Sequence, residues 1–540
     1  MQLTRNLAIM GIVPLFVFFL VGCGASSPSL DLTKTKIVSG SESLDSISVI
    51  PGPEYEAGWL HRVFFGDHYR DLWTTPVKTQ ILDLREFAGG LTPVEAGGGY
   101  QTKSLRFLGK DGQYYKFRSI DKNPRAVLPL ELRETVVGDL AQDHISTSHP
   151  CAGLIVDELA GAVGVPRLNA MLVYLPDDER LGQFRERFGG LLGIFELYPE
   201  TIPNNQGGFL GATKIRNTSK MYEGMEEDSR DRPDPIAFLT ARFLDVLVGD
   251  WDRHVKQWKW AQVEKDGRKI WLPIPMDRDQ AFVRLDGLFP SIAGQSISQF
   301  ENFSEGVPDI YKVTFSGQYL DRRLLVGVDK ETWDSVAAVF ISRVTEEVIE
   351  RAVRRIPPEF YSRDGARIVR LLKSRRDAFR ISADAYYKLL ADYVDIYLSD
   401  KREYVEIRRL NDRQVEVSVW LREKSTGEPN RNQIVFHRVF EPGDTEEIRL
   451  YCLGGDDKVV VSGDVESSIV VRIVGGKGDD ELIDQSVVRG ILWGFLLFIP
   501  SSENATYFYD DTGENVFAEG PSCSVNEGKF TGPPGGTFQY

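Results

Sequence analysis

Near residue 400 the hydrophobic period of this 540-residue chain changes from that of a helix to that of a strand. Residues 236–248, 333–356 and 366–398 carry apolar side chains at helical spacing, the last through Ile368, Leu372, Phe379, Tyr386, Leu390 and Tyr393. From 404 to 473 the pattern alternates instead, in QVEVSVW, QIVFHRVF, EEIRLYCL, KVVVSG and SSIVVRIVGG. One uniform bundle or one uniform sheet is therefore excluded, and a helical body must adjoin a β-rich region. The alternation predicts a small antiparallel β-domain, and no long internal repeat marks a solenoid.

The N-terminal half is mixed. KSLRFLG and QYYKFRSID flank the turn KDG at 110–112 and read as a strand pair. Residues 129–146 carry helical spacing with a proline near the start, and NAMLVYLP and GGLLGIFELY read as two further strands. The expected organisation is a signal segment over 1–23 and a Ser/Thr/Gly-rich flexible tether over 24–50, followed by three folded regions. These are a mixed lobe over 51–200, a mostly helical lobe over 201–398 and a β-rich domain over 399–540 with a loose end. The fold class is α+β.

The first residues set the expected location. Arg5 precedes an apolar run over 7–21, which closes on Leu20-Val21-Gly22-Cys23. That is a secretory signal segment, too short to span a bilayer. Its ending resembles the bacterial lipobox, which implies cleavage before Cys23 and lipidation of that residue, palmitate included. Gly24 follows with no acidic residue, so the outer membrane of a bacterial envelope is the expected location. GILWGFLLFIP at 490–500 is apolar but half the length of a helical span, and a buried strand is expected there. A net charge of −15 argues against nucleic-acid binding, which needs a basic surface. Cys151, Cys452 and Cys523, odd in number and widely scattered, do not read as a disulfide framework or a zinc site, and one pair of them could form in an oxidising compartment.

Chemistry concentrates in GDWDRHVKQWKW (249–260) and PIPMDRDQAF (273–282). Phosphoryl transfer needs a carboxylate to position an attacking hydroxyl, and oxygen ligands that hold magnesium against phosphates. Asp252, the side-chain amide of Gln257 five residues on, and Asp277 after a strand hairpin supply those parts. QWKWAQVEKDG and KIWLPIP form the expected hairpin. Magnesium keeps several waters, so two protein ligands suffice.

On these residues the chain resembles the atypical protein-kinase-like families: the CotH spore-coat kinases, the secreted Golgi casein kinases and the HipA toxin kinases. They share a G-x-x-D…N/E…D pattern. The resemblance implies a two-lobed kinase-like body using a nucleotide and magnesium or manganese, with Asp252 as catalytic Asp and Gln257 and Asp277 as metal ligands. Gln257 departs from the pattern, being neither Asn nor Glu. The resemblance also extends to a domain of unassigned function in bacterial envelope proteins.

The N-terminal half supplies candidate nucleotide contacts. Gly97, Gly98 and Gly99 can form a hairpin whose bare backbone approaches phosphates, or a plain turn. Lys116 and Arg118 alternate onto one side of a strand, where either can contact phosphate or remain a surface charge. By position Arg118 matches the kinase phosphate-binding cation better. Glu131 or Glu134 would pair with that cation, or stay a solvated helix charge. Glu196, in IFELY, lies where the resemblance places the adenine hinge. His254 has no paired spacing suited to zinc. Trp251, Trp258 and Trp260 read as core. GGKGDDELI (475–483) resembles one calcium-binding nonapeptide of the β-roll type; a single copy favours a turn. The basic run 367–380 reads as a solvated helix face, with a peptide-binding role as the second reading.

Two functions remain open: a lipid-anchored kinase-like phosphotransferase acting on an unknown hydroxyl acceptor, or a catalytically inactive scaffold that engages another envelope protein.

Overall fold

The computed structural model describes residues 35–38, 40, 43, 45–97, 101–201, 208–228, 230–265, 268–293, 301–489, 505–510, 512–526, 528 and 530. Cys23, Gly98, Gly99 and the segments 490–500 and 532–540 lie outside them. The chain divides into two compact units. The first comprises Met1–Cys151, Ala170–Tyr198 and Pro357–Arg363; the second comprises Ala152–Asn169, Pro199–Ile356 and Asp364–Tyr540. No helix of the described residues is long and apolar enough to cross a membrane.

Unit 1 is built on eight strands: β1 (Lys36–Ile37), β2 (Ser46–Ile50), β3 (Val77–Ile81), β4 (Leu91–Gly97), β5 (Thr102–Gly109), β6 (Tyr114–Lys122), β7 (Met171–Leu175) and β8 (Leu191–Leu197). They form one sheet in the order β1-β2-β3-β7-β8-β6-β5-β4. In β6 the alternation buries Tyr115, Phe117 and Ser119 and turns Lys116 and Arg118 to the other face. Part of the expected tether is thus structured: β2 buries Ile47 and Val49, because two apolar side chains at period two meet an open sheet edge. The expected helix over 129–146 breaks into Leu130–Arg133, Val136–Asp143 and a 3-10 turn, His144–Thr147. Thr135 caps the middle piece by accepting from the amide of Val137, which restarts the helix there.

Unit 2 is organised around the helix Pro235–Val248. Asp234 caps its start, accepting from the amides of Ile236 (3.0 Å) and Ala237 (2.9 Å). Phe243, on this helix, lies edge-on to Trp333, Phe340 and Phe379 at 5.3–5.8 Å. Beside the helix, β9 (Lys214–Asn217), β10 (Arg232–Pro233), β11 (Trp258–Lys265) and β12 (Arg268–Pro275) form a sheet in the order β10-β12-β11-β9. β11 and β12 are the expected antiparallel hairpin, and its Trp258 and Trp260 are buried; Trp251 is only half-buried. The helical pattern of 333–356 resolves into Lys330–Arg343 and Glu346–Val353, with Thr345 as the new cap. That of 366–398 ends at Ala391, and Tyr393 begins a strand.

The C-terminal strands correct the antiparallel expectation. They are β13 (Tyr393–Tyr397), β14 (Glu403–Asn411), β15 (Gln414–Arg422), β16 (Pro429–Phe440), β17 (Glu447–Tyr451), β18 (Lys458–Ser462), β19 (Asp464–Val465), β20 (Val470–Val474), β21 (Glu481–Asp484), β22 (Val487–Val488), β23 (Thr506–Tyr509), β24 (Val516–Ala518) and β25 (Cys523–Asn526). Only β14-β15-β16 pair antiparallel. One sheet runs β13-β17-β20-β23-β25, another continues β14-β18-β21-β24, and all these neighbours are parallel. The chain therefore climbs in stacked rungs around an apolar core of Val, Ile and Leu. Alternation reports which face is buried and is silent on strand direction, which is why the parallel stack escaped it.

The turn that resembles one β-roll repeat belongs to this stack. Gly455, Gly478 and Gly513 all have positive φ (105°, 129° and 84°). A Cβ on Gly478 would lie 1.7 Å from the carbonyl oxygen of Gly455, and one on Gly513 1.8 Å from that of Gly478. Only glycine fits where successive rungs touch backbone to backbone. The residue two after each of these glycines joins the rungs: the amide of Glu403 donates to Asp457 (2.7 Å), that of Asp457 to Asp480 (2.8 Å), and that of Asp480 to the side-chain oxygen of Asn515 (2.9 Å). Cys452 and Cys523, like Cys151, are free thiols.

Candidate active site

Gly249 ends the central helix in the left-handed conformation (φ 69°), its amide returning to the carbonyls of Asp245 and Val246. A Cβ there would stand 3.1 Å from the Phe303 ring and 3.3 Å from the Arg375 guanidinium. The chain thereby leaves the helix and carries Asp250, Asp252 and Arg253 to the end of the β11-β12 hairpin. The amide of Met276 donates to the carbonyl of Gln257 (2.9 Å), joining the two ends of the hairpin beside the site.

The side chains of Asp252, Gln257 and Asp277 come together here. Gln257 Nε2 makes long hydrogen bonds, each 3.4 Å, to Asp252 Oδ2 and to Asp277 Oδ2. The two carboxylate oxygens flank one amide and lie within twice that distance of each other. A half-turn of the amide presents its oxygen in place of its nitrogen, so Gln257 and Asp277 can offer a carbonyl oxygen and a carboxylate to one cation, beside the Asp252 carboxylate. That all-oxygen set suits a hard divalent cation that keeps part of its water. Among the described residues no three His, Cys, Asp or Glu side chains are spaced to hold a metal.

Arg253 fixes the geometry. It is fully buried, and its Nη1 donates to the carbonyls of Met276 (2.7 Å) and Asp277 (3.1 Å) while Nη2 donates to that of Gln257 (3.1 Å). Asp277 holds φ at 57°, an uncommon conformation outside glycine, and the bond to its carbonyl helps hold it there. The guanidinium also lies 4.8 Å from the Trp258 ring centre. His254 is used locally: Nδ1 accepts from the amide of Lys256 (3.1 Å), and Nε2 is 3.7 Å from Asp252 Oδ1.

A buried ionic layer supports these loops. Asp245 meets Arg242 (2.6 Å), Arg253 (3.5 Å) and Arg278, and Arg242 forks onto Asp321 (2.7 and 2.9 Å). Asp250, fully buried, lies 3.6 Å from Arg253 and 3.4 Å from Arg278, and its Oδ1 has no hydrogen-bond partner. Burial pushes the Asp250 carboxyl up to about 7; Arg253 opposes the rise, and the charges of Asp252, Asp279 and Asp277 add to it. Burial likewise holds Arg278 down, to about 9, with Arg242 contributing. Sequence reasoning did not assign Asp245, Asp250, Arg242 or Arg278. The signal was an Arg and an Asp three apart inside the otherwise apolar FLTARFLDVLV. Charges there must be paired in the interior.

The other candidates belong to unit 1. Gly97 ends β4, where a Cβ would sit 3.2 Å from Ser104 Oγ. Lys116 is opposite Glu196 in the β6-β8 register and 5.5 Å from the Tyr198 ring centre. Arg118 shares its face, opposite Ile194. Glu131 is exposed, and Glu134 is 90% exposed with its carboxylate 3.8 Å from Arg125.

No family model matches the chain, and no curated protein matches it. Among solved structures it is similar to the Helicobacter pylori proinflammatory kinase CtkA, at 10% identity and TM-score 0.29, over 52% of this chain and 94% of that one. It is also similar to the Golgi casein kinase, at 12% identity and TM-score 0.27, over 55% of this chain and 74% of that one. The Mn/ADP-bound crystal structure of the Golgi casein kinase gives 13% identity and TM-score 0.26 over the same shares. The chain is thus a mixed helix-and-sheet protein with atypical kinases among its structural neighbours, and the chemistry must be argued from the site itself.

Proposed function

We propose that this protein is a lipid-anchored, kinase-like phosphotransferase of the bacterial envelope. The observation that carries the reading is the shared bonding of Asp252 and Asp277 through Gln257. Asp277 and Gln257 would hold magnesium or manganese, which when bound neutralises phosphate charge. Asp252 has the role of accepting the acceptor hydroxyl's hydrogen bond and aiming its oxygen at the phosphorus, and Arg253 keeps Asp252 and Asp277 in register. In unit 1, Gly97, Gly98, Gly99, Lys116, Arg118, Glu131, Glu134 and Glu196 are the proposed nucleotide-side residues.

The amide at position 257 also favours a second reading, an inactive scaffold, because a neutral ligand binds a divalent cation less strongly than a carboxylate does. A transfer assay with labelled nucleotide and envelope extract separates the two. The phosphotransferase reading expects label in an acceptor with wild type and none with Asp252→Ala. No label from wild type at any divalent cation supports the scaffold.

A further inference from the structure

A second site lies at the turn-proximal half of the β11-β12 hairpin, on residues that the proposed reaction does not use. Here unit 2 forms an open cavity of about 1050 Å³ between β9, the helix Thr218–Glu227, β10, the hairpin and β16. Trp271, Ile270, Ile434 and Val435 supply its apolar lining.

Its charges are unevenly satisfied. Seven cations and five carboxylates line it. Of the acids, Asp228 is forked by Arg230 (2.9 and 2.6 Å) and Glu223 is paired with Lys220 (2.6 Å). Asp234 is spent on capping the central helix, Asp231 accepts from Gln262 (3.2 Å), and the fifth acid, Glu227, is exposed to water. Among the described residues, Lys214, Arg232, Lys269 and Lys401 make neither an ion pair nor a side-chain hydrogen bond. Lys269 and Lys401 act on Asp231 and Asp228 only through space. Arg232 is half-buried whereas the three lysines are exposed, so a guanidinium lies deeper than three ammonium groups contributed by separate elements. Burial holds this guanidinium below its usual range and Arg323 adds to the fall, while the charges of Glu403, Asp228 and Asp231 oppose it through space.

We propose that this cavity binds a ligand bearing two or more phosphate groups. A carboxylate accepts in one plane and matches one guanidinium fork. A phosphoryl group accepts in three directions and carries up to two charges, so it can engage Arg232 and lysines on different walls together. A volume of about 1050 Å³ has room for more than one such group, and its apolar wall accommodates the part of the ligand that joins them.

The test is calorimetry on the full chain with inorganic tripolyphosphate, at low salt and with a chelator present so that no divalent cation contributes. Tripolyphosphate is expected to bind, to weaken steeply as salt rises, and to lose at least tenfold in affinity in the Lys269→Glu/Lys401→Glu variant. Both lysines are exposed, so that variant is expected to fold, and an unchanged melting temperature verifies it. Asp277→Ala is expected to bind tripolyphosphate as wild type does, which separates this site from the proposed active site. Absence of binding, equal binding by the lysine variant, or equally tight binding of a hexaglutamate peptide overturns the proposal.

Discussion

Arg253 donates to the main-chain carbonyl of Asp277 at 3.1 Å, so the residue beside Asp252 in sequence also holds the backbone that presents Asp277. The two acids are separated by a whole hairpin, yet one guanidinium sets the position of both loops. Replacing Arg253 removes three hydrogen bonds to carbonyls and leaves Asp245 and Asp250 with less countercharge. Arg253→Ala should therefore lower stability by about 3–5 kcal/mol, the range for breaking a buried ionic network. Arg253→Lys should recover little, since an ammonium cannot fork to both loops. Urea unfolding midpoints check this, and a loss below 1 kcal/mol would contradict it.

The stacked acids predict a pH dependence. Burial pushes the Asp480 carboxyl up to about 7; the amide of Asp457 opposes the rise, and Asp510, Asp456 and Asp479 add to it. The folded form therefore holds a proton that the unfolded chain, near its ordinary value of 3.8, releases. The resulting stabilisation is complete below about 4 and is lost as pH rises towards about 7. Asp480→Asn keeps an acceptor for the Asp457 amide without the charge. Melting curves should show the variant more stable than wild type at pH 8 and the difference shrinking by pH 5. An equal difference at both would count against the buried acid.

Gly249 should tolerate no side chain. Gly249→Ala places a Cβ in a left-handed conformation, 3.1 Å from Phe303 and 3.3 Å from Arg375. The expected cost is about 1–2 kcal/mol, measured as a fall in melting temperature. An unchanged melting temperature would show that the turn out of the central helix relaxes freely.

These residues show what was legible beforehand. The spacing of Asp252, Gln257 and Asp277 could be read because the hairpin between them alternates plainly, and a hairpin returns its ends to one place. The central helix could be read from its apolar content and its bounding Asp234 and Gly249. The ionic layer could not, because whether Arg242 meets Asp321 depends on a fold that brings residues 79 positions apart together. The parallel stack was hidden for another reason. Gly455 and Gly478 are 23 residues apart and Gly478 and Gly513 are 35 apart, so the repeat is masked by an insertion. What the rungs share is a missing Cβ and, two residues on, an Asp or Asn oxygen that accepts from a main-chain amide (Asp457, Asp480, Asn515), which is too little sequence to register as a repeat.

The proposed anchor has its own test. Cys23→Ser should move the protein from the membrane fraction to the soluble fraction of the envelope, because removing the acyl chains removes about 0.8 kcal/mol per buried methylene. Equal recovery of wild type and variant in membranes would contradict lipidation at this residue.

The central claim is that Asp252, Gln257 and Asp277 form a metal-assisted phosphotransfer site. Calorimetry of nucleotide binding, with and without magnesium or manganese, tests it most directly. The account predicts binding that requires the cation, at least a tenfold loss in Asp277→Ala, and near-normal binding in Asp252→Ala, whose role falls on the transition state. Cation-independent binding, or no nucleotide binding with either metal, would contradict it.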